Sequence, residues 1–149
     1  MIYLISKIHP EEYSEVVELW EASVRETHEF LSEDDILFFK PLILNEYLKA
    51  VDLNCVRDDS GKILGFSGVA EGNLEMLFVH PVFAGKGIGK ALLTYALEKL
   101  GVLKVDVNEQ NPKATAFYLK NGFEIIGRSE LDGTGKPYPI LHLEISKKL

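Results

Sequence analysis

The stretch Gly85-Lys86-Gly87-Ile88-Gly89 places three glycines at alternate positions, between a strand-like run and a helical one. At a strand-to-helix turn, backbone N–H groups and the positive end of the helix dipole converge, which suits such a turn to phosphate. Glycine matters there because a Cβ would block close backbone approach or the positive φ angles the turn requires. Taken alone, the run also fits a turn kept only for tight packing. Two familiar phosphate loops are excluded by context. A Walker loop needs a hydroxyl after its lysine, but Lys90 is followed by Ala91. A dinucleotide fingerprint usually follows the first strand, whereas several strand-like runs precede this turn.

Other reactive side chains form no legible constellation. Cys55 is the single cysteine; lying between Asn54 and Val56 and close to Leu53, it reads as a buried strand residue, and an internal disulfide is excluded. His9, His28, His80 and His142 show no metal-type spacing with each other or with Cys55, so no metal is expected. No serine triad is visible either.

The elements that must hold the glycine turn follow from periodicity. Tyr3 to Ile8 reads as a strand, and Pro10, Glu11 and Glu12 start a helix in which Val16, Leu19, Trp20 and Val24 recur at helical spacing. Ser32-Glu33-Asp34-Asp35 resembles a capping box and opens a helix running towards Ala50. Leu53 to Arg57, the polar turn Asp58 to Lys62 and Ile63 to Ala70 read as a hairpin, with Leu74 to Val79 the next strand. Ile88, Leu92, Tyr95 and Ala96 give the helix after the glycine turn an apolar stripe. Leu103 to Val107 is a short strand. Pro112 opens a helix that Asn121-Gly122 closes, and Phe123 to Arg128 and Tyr138 to Ile145 are two last strands. The order βααβββαβαββ predicts an α/β domain with a mixed sheet.

Bulk properties limit the function. The 149 residues suit one domain spanning 1–149, with no linker, repeat or low-complexity tract. No apolar run is long enough for a membrane helix, and Met1 to Lys7 lacks the basic start and apolar centre of a secretory signal, so a cytoplasmic location is expected, with no membrane partner. A net charge of −7 argues against nucleic acid and is compatible with a cationic amine. It also means that an anionic cofactor must be held by local features against the overall field.

Two segments together resemble a known family. Leu77-Phe78-Val79-His80-Pro81 followed by Gly85-Lys86-Gly87-Ile88-Gly89-Lys90-Ala91-Leu92-Leu93 is similar to the cofactor motif of the GCN5-related N-acetyltransferase (GNAT) superfamily, and Asn111-Pro112 through Asn121-Gly122-Phe123 is similar to its second landmark. Ser23 to Leu31, Val107 to Asn111, Gly127 to Glu130 and Gly135 to Pro139 further resemble the bacterial YjaB-type acetyltransferases, so the resemblance spans essentially the whole chain. It implies a GNAT-like domain: a mixed, mostly antiparallel, twisted sheet of about seven strands flanked by about four helices. It also implies acetyl-CoA as cosubstrate.

The resemblance implies roles residue by residue. Amides of Gly85, Lys86, Gly87, Ile88, Gly89 and Lys90 would hold the CoA pyrophosphate, with Ala84 at a position where the superfamily commonly has Arg or Gln. Leu77 and Val79 would contact the pantetheine arm through backbone, the Val79 N–H facing the thioester carbonyl, and Asn111 would touch the cofactor. Tyr118 stands where relatives carry the acid that protonates the departing thiolate, and Glu75 where they often carry an acidic residue suited to serve as base. Trp20, Thr27, His28, Phe30 and Tyr138 lie in segments that commonly flank the acceptor, although Trp20 and Phe30 also suit the core and His28, close to Glu29, suits a solvated surface position or an alternative base. The reaction expected is direct attack of a primary amine, on a protein lysine or a small molecule, in a ternary complex. The alternative is a CoA-binding sensor or interaction module with little catalysis, motivated by Ala84. The apolar C-terminal strands offer edges for a homodimer.

Overall fold

The computed structural model describes residues 2–146. Among the described residues, seven strands and four α-helices appear in the expected order. They fall in two compact units, Met1–Val102 and Leu103–Leu149.

In the first unit, β1 (Ile5–Lys7), β2 (Asp52–Arg57), β3 (Ile63–Ala70) and β4 (Asn73–Val79) pair antiparallel in sequence order. Strand alternation sends successive side chains to opposite faces. Cys55 accordingly joins a core with Val16, Trp20 and Val24 of α1 (Tyr13–Thr27) and Ile36 of α2 (Glu33–Leu42), while Val56 joins Ile88 and Leu92 of α3 (Ile88–Lys99). The lone thiol is fully buried and its pKa is raised by that burial, which fits the structural role expected of it.

Three expected boundaries move by two residues or more, each for a local reason. The first strand is shorter than Tyr3 to Ile8, because Tyr3 leaves the sheet and its hydroxyl donates to the Lys86 carbonyl at 2.7 Å. The second helix does begin at Ser32, whose hydroxyl accepts from the Asp35 N–H at 3.1 Å, but it does not run to Ala50 as an α-helix. Pro41 lacks a donor for the i−4 carbonyl, and the chain passes after Leu42 into a π-helical turn, Ile43–Tyr47, and a 3-10 turn, Leu48–Ala50. The last strand starts at Ile140 rather than Tyr138, since the Tyr138 N–H is used in a turn to the Lys136 carbonyl and Pro139 has no N–H.

Arg57 ties the N-terminal segment to this sheet. Its guanidinium donates to both Glu12 carboxylate oxygens, at 2.6 and 2.8 Å, and to the Lys7 carbonyl at 2.9 Å. The Arg57 hydrogen bonds, above all, hold the Glu12 carboxyl down to about 2.

In the second unit, β5 (Lys104–Asn108) and β6 (Phe123–Ser129) each pair antiparallel with β7 (Ile140–Ile145), and α4 (Pro112–Lys120) connects β5 to β6. Phe123 and Leu143 are buried, and β6 carries a bulge between Ile125 and Gly127.

Candidate active site

The glycine turn of the first unit is built as a phosphate cradle would be. After β4 a short 3-10 turn, Pro81–Phe83, is closed by the Phe83 N–H donating to the His80 carbonyl at 2.9 Å and the Ala84 N–H donating to the Pro81 carbonyl at 3.2 Å. Gly85 and Gly87 then take φ of 75° and 84°, the left-handed region that favours glycine. Gly87 is the N-cap of α3, so no side chain caps this helix. The first-turn amides of Ile88, Gly89 and Lys90 have no partner within the helix by its own geometry. No acid occupies the first turn of α3, whereas Glu33, Asp34 and Asp35 crowd that of α2. In a chain of net charge −7, that omission leaves the positive end of the α3 dipole unneutralised by its own side chains.

Two residues that sequence reasoning missed shape this turn. Tyr3 anchors it through the Lys86 carbonyl. Gly65 on β3 lies under the start of α3, where a Cβ would stand 2.8 Å from Ile88 Cγ2 and 3.2 Å from the Phe78 carbonyl oxygen. A lone strand glycine can signal such close approach, but only the fold tells what approaches. Lys86 places its ammonium 5.8 Å from the Phe83 ring centroid, while Lys90 is exposed.

Strand β4 directs its backbone in a way its register determines. The His80 N–H donates to the Leu64 carbonyl at 2.9 Å, so alternation makes Gly65/Val79 and Ser67/Leu77 the non-hydrogen-bonded pairs. The N–H and C=O groups of Leu77 and Val79 therefore point away from β3. Glu75 is the extra residue of a bulge, falling between the pairs Gly68/Met76 and Val69/Leu74, and it is exposed.

The acceptor candidates of the first unit divide. Trp20 is buried in the α1 core. Thr27 ends α1, its hydroxyl donating to the Ser23 carbonyl at 2.8 Å, which leaves its oxygen to accept from His28 Nδ1–H at 2.8 Å. His28 is not the solvated histidine expected: the chain turns at the end of α1 and tucks the ring in, 5.2 Å from Phe30 and 6.4 Å from Phe78 between ring centroids. Burial lowers its pKa to about 4, so the ring is neutral and a weak base at neutral pH. In the unfolded chain it titrates near 6.5, binding protons the folded state refuses. Stability should therefore be full above about pH 6.5 and fall by up to about 3 kcal/mol as pH drops towards 4. Urea unfolding at several pH values should show this loss, and His28→Gln should flatten it.

In the second unit, Asn111 is a buried N-cap of α4, its Oδ1 accepting from the Ala114 N–H at 3.2 Å. Its side-chain oxygen is thus committed to the helix. Tyr118 is buried, its ring edge-on to Phe117 at 5.2 Å and to Phe123 at 5.6 Å, and burial pushes the phenol well above the usual tyrosine range. Tyr138 is also buried. The described residues hold no group of three or more His, Cys, Asp or Glu side chains able to bind a metal, and no described helix is long and apolar enough to cross a membrane.

Comparison with known proteins shows the family. Residues 52–125, from β2 into β6, match the acetyltransferase (GNAT) domain. The peptidyl-lysine N-acetyltransferase YjaB of Salmonella typhimurium is 37% identical over 143 residues, covering 96% of this chain and 98% of that protein. The chain belongs to the GNAT acetyltransferase family. The solution structure of apo-form YjaB from Escherichia coli agrees, with a TM-score of 0.88 at 35% identity over 99% of this chain and 100% of that one. The PaiA N-acetyltransferase of Thermoplasma acidophilum, in complex with coenzyme A, has a TM-score of 0.71 at 26% identity over 97% of this chain and 99% of that one. This GNAT protein is accordingly an acetyltransferase that takes acetyl-CoA as cosubstrate and transfers the acetyl group to an amine. Its α/β fold is the one the motifs implied.

Proposed function

We propose that the chain, read as a single domain over residues 1–149, acetylates the side-chain amine of protein lysines by direct attack in a ternary complex. The observation that carries the reading is the turn from β4 into α3, which combines left-handed glycines with an uncapped, acid-free helix start. Such a turn needs no arginine at Ala84, which weakens the motive for the sensor alternative. The acceptor class is supported by the peptidyl-lysine specificity in the name of the Salmonella relative.

In this mechanism Gly85 to Lys90 hold the pyrophosphate, Leu77 and Val79 hold the pantetheine arm, and Asn111 adds a contact to the cofactor. The Val79 N–H meets the thioester carbonyl, where negative charge grows during attack. Glu75, directly or through water, removes the ammonium proton, because a lysine near pKa 10.4 must lose it to become a nucleophile. Tyr118 protonates sulfur as the thiolate departs. Thr27, His28, Phe30 and Tyr138 border the acceptor, with Trp20 supporting them from the core. We place the protein in the cytoplasm with its donor, acting on neither nucleic acid nor membrane. A homodimer would use the β6 edge, where Ile125 and Ile126 are exposed.

Thiol release from acetyl-CoA with lysine peptides, polyamines and small aminated metabolites tests the acceptor. Peptides should be turned over best, and transfer confined to small amines would reject the lysine reading. In the same assay Glu75→Gln should lose about 100-fold in rate near neutral pH and regain part of it at high pH, where the amine deprotonates unaided.

A further inference from the structure

The second unit assembles a hydrogen-bonded Ser–His–Asp chain that no sequence spacing betrays. Asp106 lies on β5, His142 on β7 and Ser129 at the end of β6. Register pairs Asp106 directly with His142 and sets Ser129 opposite Ile140, two residues from His142, so the period-two alternation puts all three side chains on one face. His142 Nδ1 lies 2.7 Å from Asp106 Oδ1, and His142 Nε2 lies 2.7 Å from Ser129 Oγ. An ionised carboxylate can only accept, so Nδ1 carries the ring proton. In the neutral form of the ring Nε2 is then a bare acceptor, to which the Ser129 hydroxyl donates. That is the connectivity that activates a serine nucleophile.

The strands give the ring room to span from β5 to β6. Gly127 sits opposite His142 and leaves the ring face beside it uncovered, since a Cβ there would lie in ordinary contact with the ring carbon Cδ2, 3.7 Å away. The chain is also reachable, since the His142 side chain is 35% exposed and Ser129 only half-buried.

We propose that Ser129 is an acylation site, with His142 as its base and Asp106 as a positioning residue, taking acyl groups from activated esters or thioesters. Ser129 Oγ attacks the acyl carbonyl while His142 Nε2 takes the hydroxyl proton. The intermediate collapses by breaking the bond to the leaving oxygen or sulfur, which receives that proton from the imidazolium, and the acyl group stays ester-linked to Ser129. Because the Asp106 side chain is 63% exposed, water weakens its hold on the ring, so acylation is expected to be slow. This activity does not depend on transfer to amines.

Treating the full chain with a fluorophosphonate probe and mapping the labelled peptide by mass spectrometry tests the site, and p-nitrophenyl acetate should give an acetyl adduct at the same residue. Label is expected on Ser129, to be abolished in Ser129→Ala and slowed about 100-fold in His142→Gln. Asp106→Asn should slow it about tenfold or more, and Asp106→Glu, which can still orient the ring, should recover most of the rate. Asp106 is exposed, so these two variants are expected to fold. An unlabelled Ser129, or labelling at the same rate in His142→Gln, overturns the proposal, and either result leaves amine acetylation to be judged by its own assay.

Discussion

Tyr118→Phe should lower kcat for amine acetylation about 100-fold while leaving the Kd for acetyl-CoA within about twofold. The substitution removes one hydroxyl and keeps the ring that packs edge-on against Phe117 and Phe123, so the second unit should retain its stability. Burial holds the phenol well above its usual range, which means that the group keeps its proton throughout the pH range in which the enzyme would work. A proton donor must be loaded before it acts, and this one is. The same shift makes it a reluctant acid, so in the proposed role its transfer to sulfur would be driven by the charge that accumulates as the C–S bond breaks. An acetyl thioester with a more acidic leaving thiol needs less help, and Tyr118→Phe should cost it correspondingly less. Equal losses with both donors, or an unchanged kcat, would remove Tyr118 from the acid role.

Elements whose signals are local were legible in the sequence. Ile63–Ala70 forms the strand predicted, α4 begins at Pro112 and ends before Asn121-Gly122, and the Asp58 turn closes as its composition suggests, with Oδ1 accepting from the N–H groups of Ser60 and Lys62 at 2.9 and 3.0 Å. The conformation of the glycine turn was legible for the same reason, since its glycines and flanking elements are contiguous. What escaped depended on register or tertiary packing. A histidine among polar neighbours reads as exposed, yet His28 is buried because the chain folds Phe30 and Phe78 around it. Asp106, Ser129 and His142 lie on three strands, and a shift of one residue in either pairing would send their side chains to opposite faces. The end of α2 belongs between these cases, since Pro41 lies within the run read as helical towards Ala50 and the α-helix ends just after it.

Gly65→Ala should destabilise the protein by about 1–3 kcal/mol and weaken acetyl-CoA binding about tenfold. The Cβ would enter a space bounded by Ile88 Cγ2 at 2.8 Å, the Phe78 carbonyl at 3.2 Å and Val79 Cγ2 at 3.4 Å. Two of these are anchors of the proposed cofactor site: Ile88 is the buried first residue of α3, and Val79 carries the N–H assigned to the thioester. Relief by lifting the start of α3 moves the helix amides that would meet the pyrophosphate, and relief through β4 moves the Val79 backbone. Both routes weaken cofactor binding as well as stability. Ile88→Leu separates this mechanism from a general packing defect, because leucine keeps the apolar volume but lacks the Cγ2 methyl that Gly65 faces. The cost of Gly65→Ala measured by urea unfolding and by acetyl-CoA titration should shrink by about 1 kcal/mol in the Ile88→Leu background. Additive effects of the two substitutions would show that the close approach of β3 to α3 does not set the geometry of the turn.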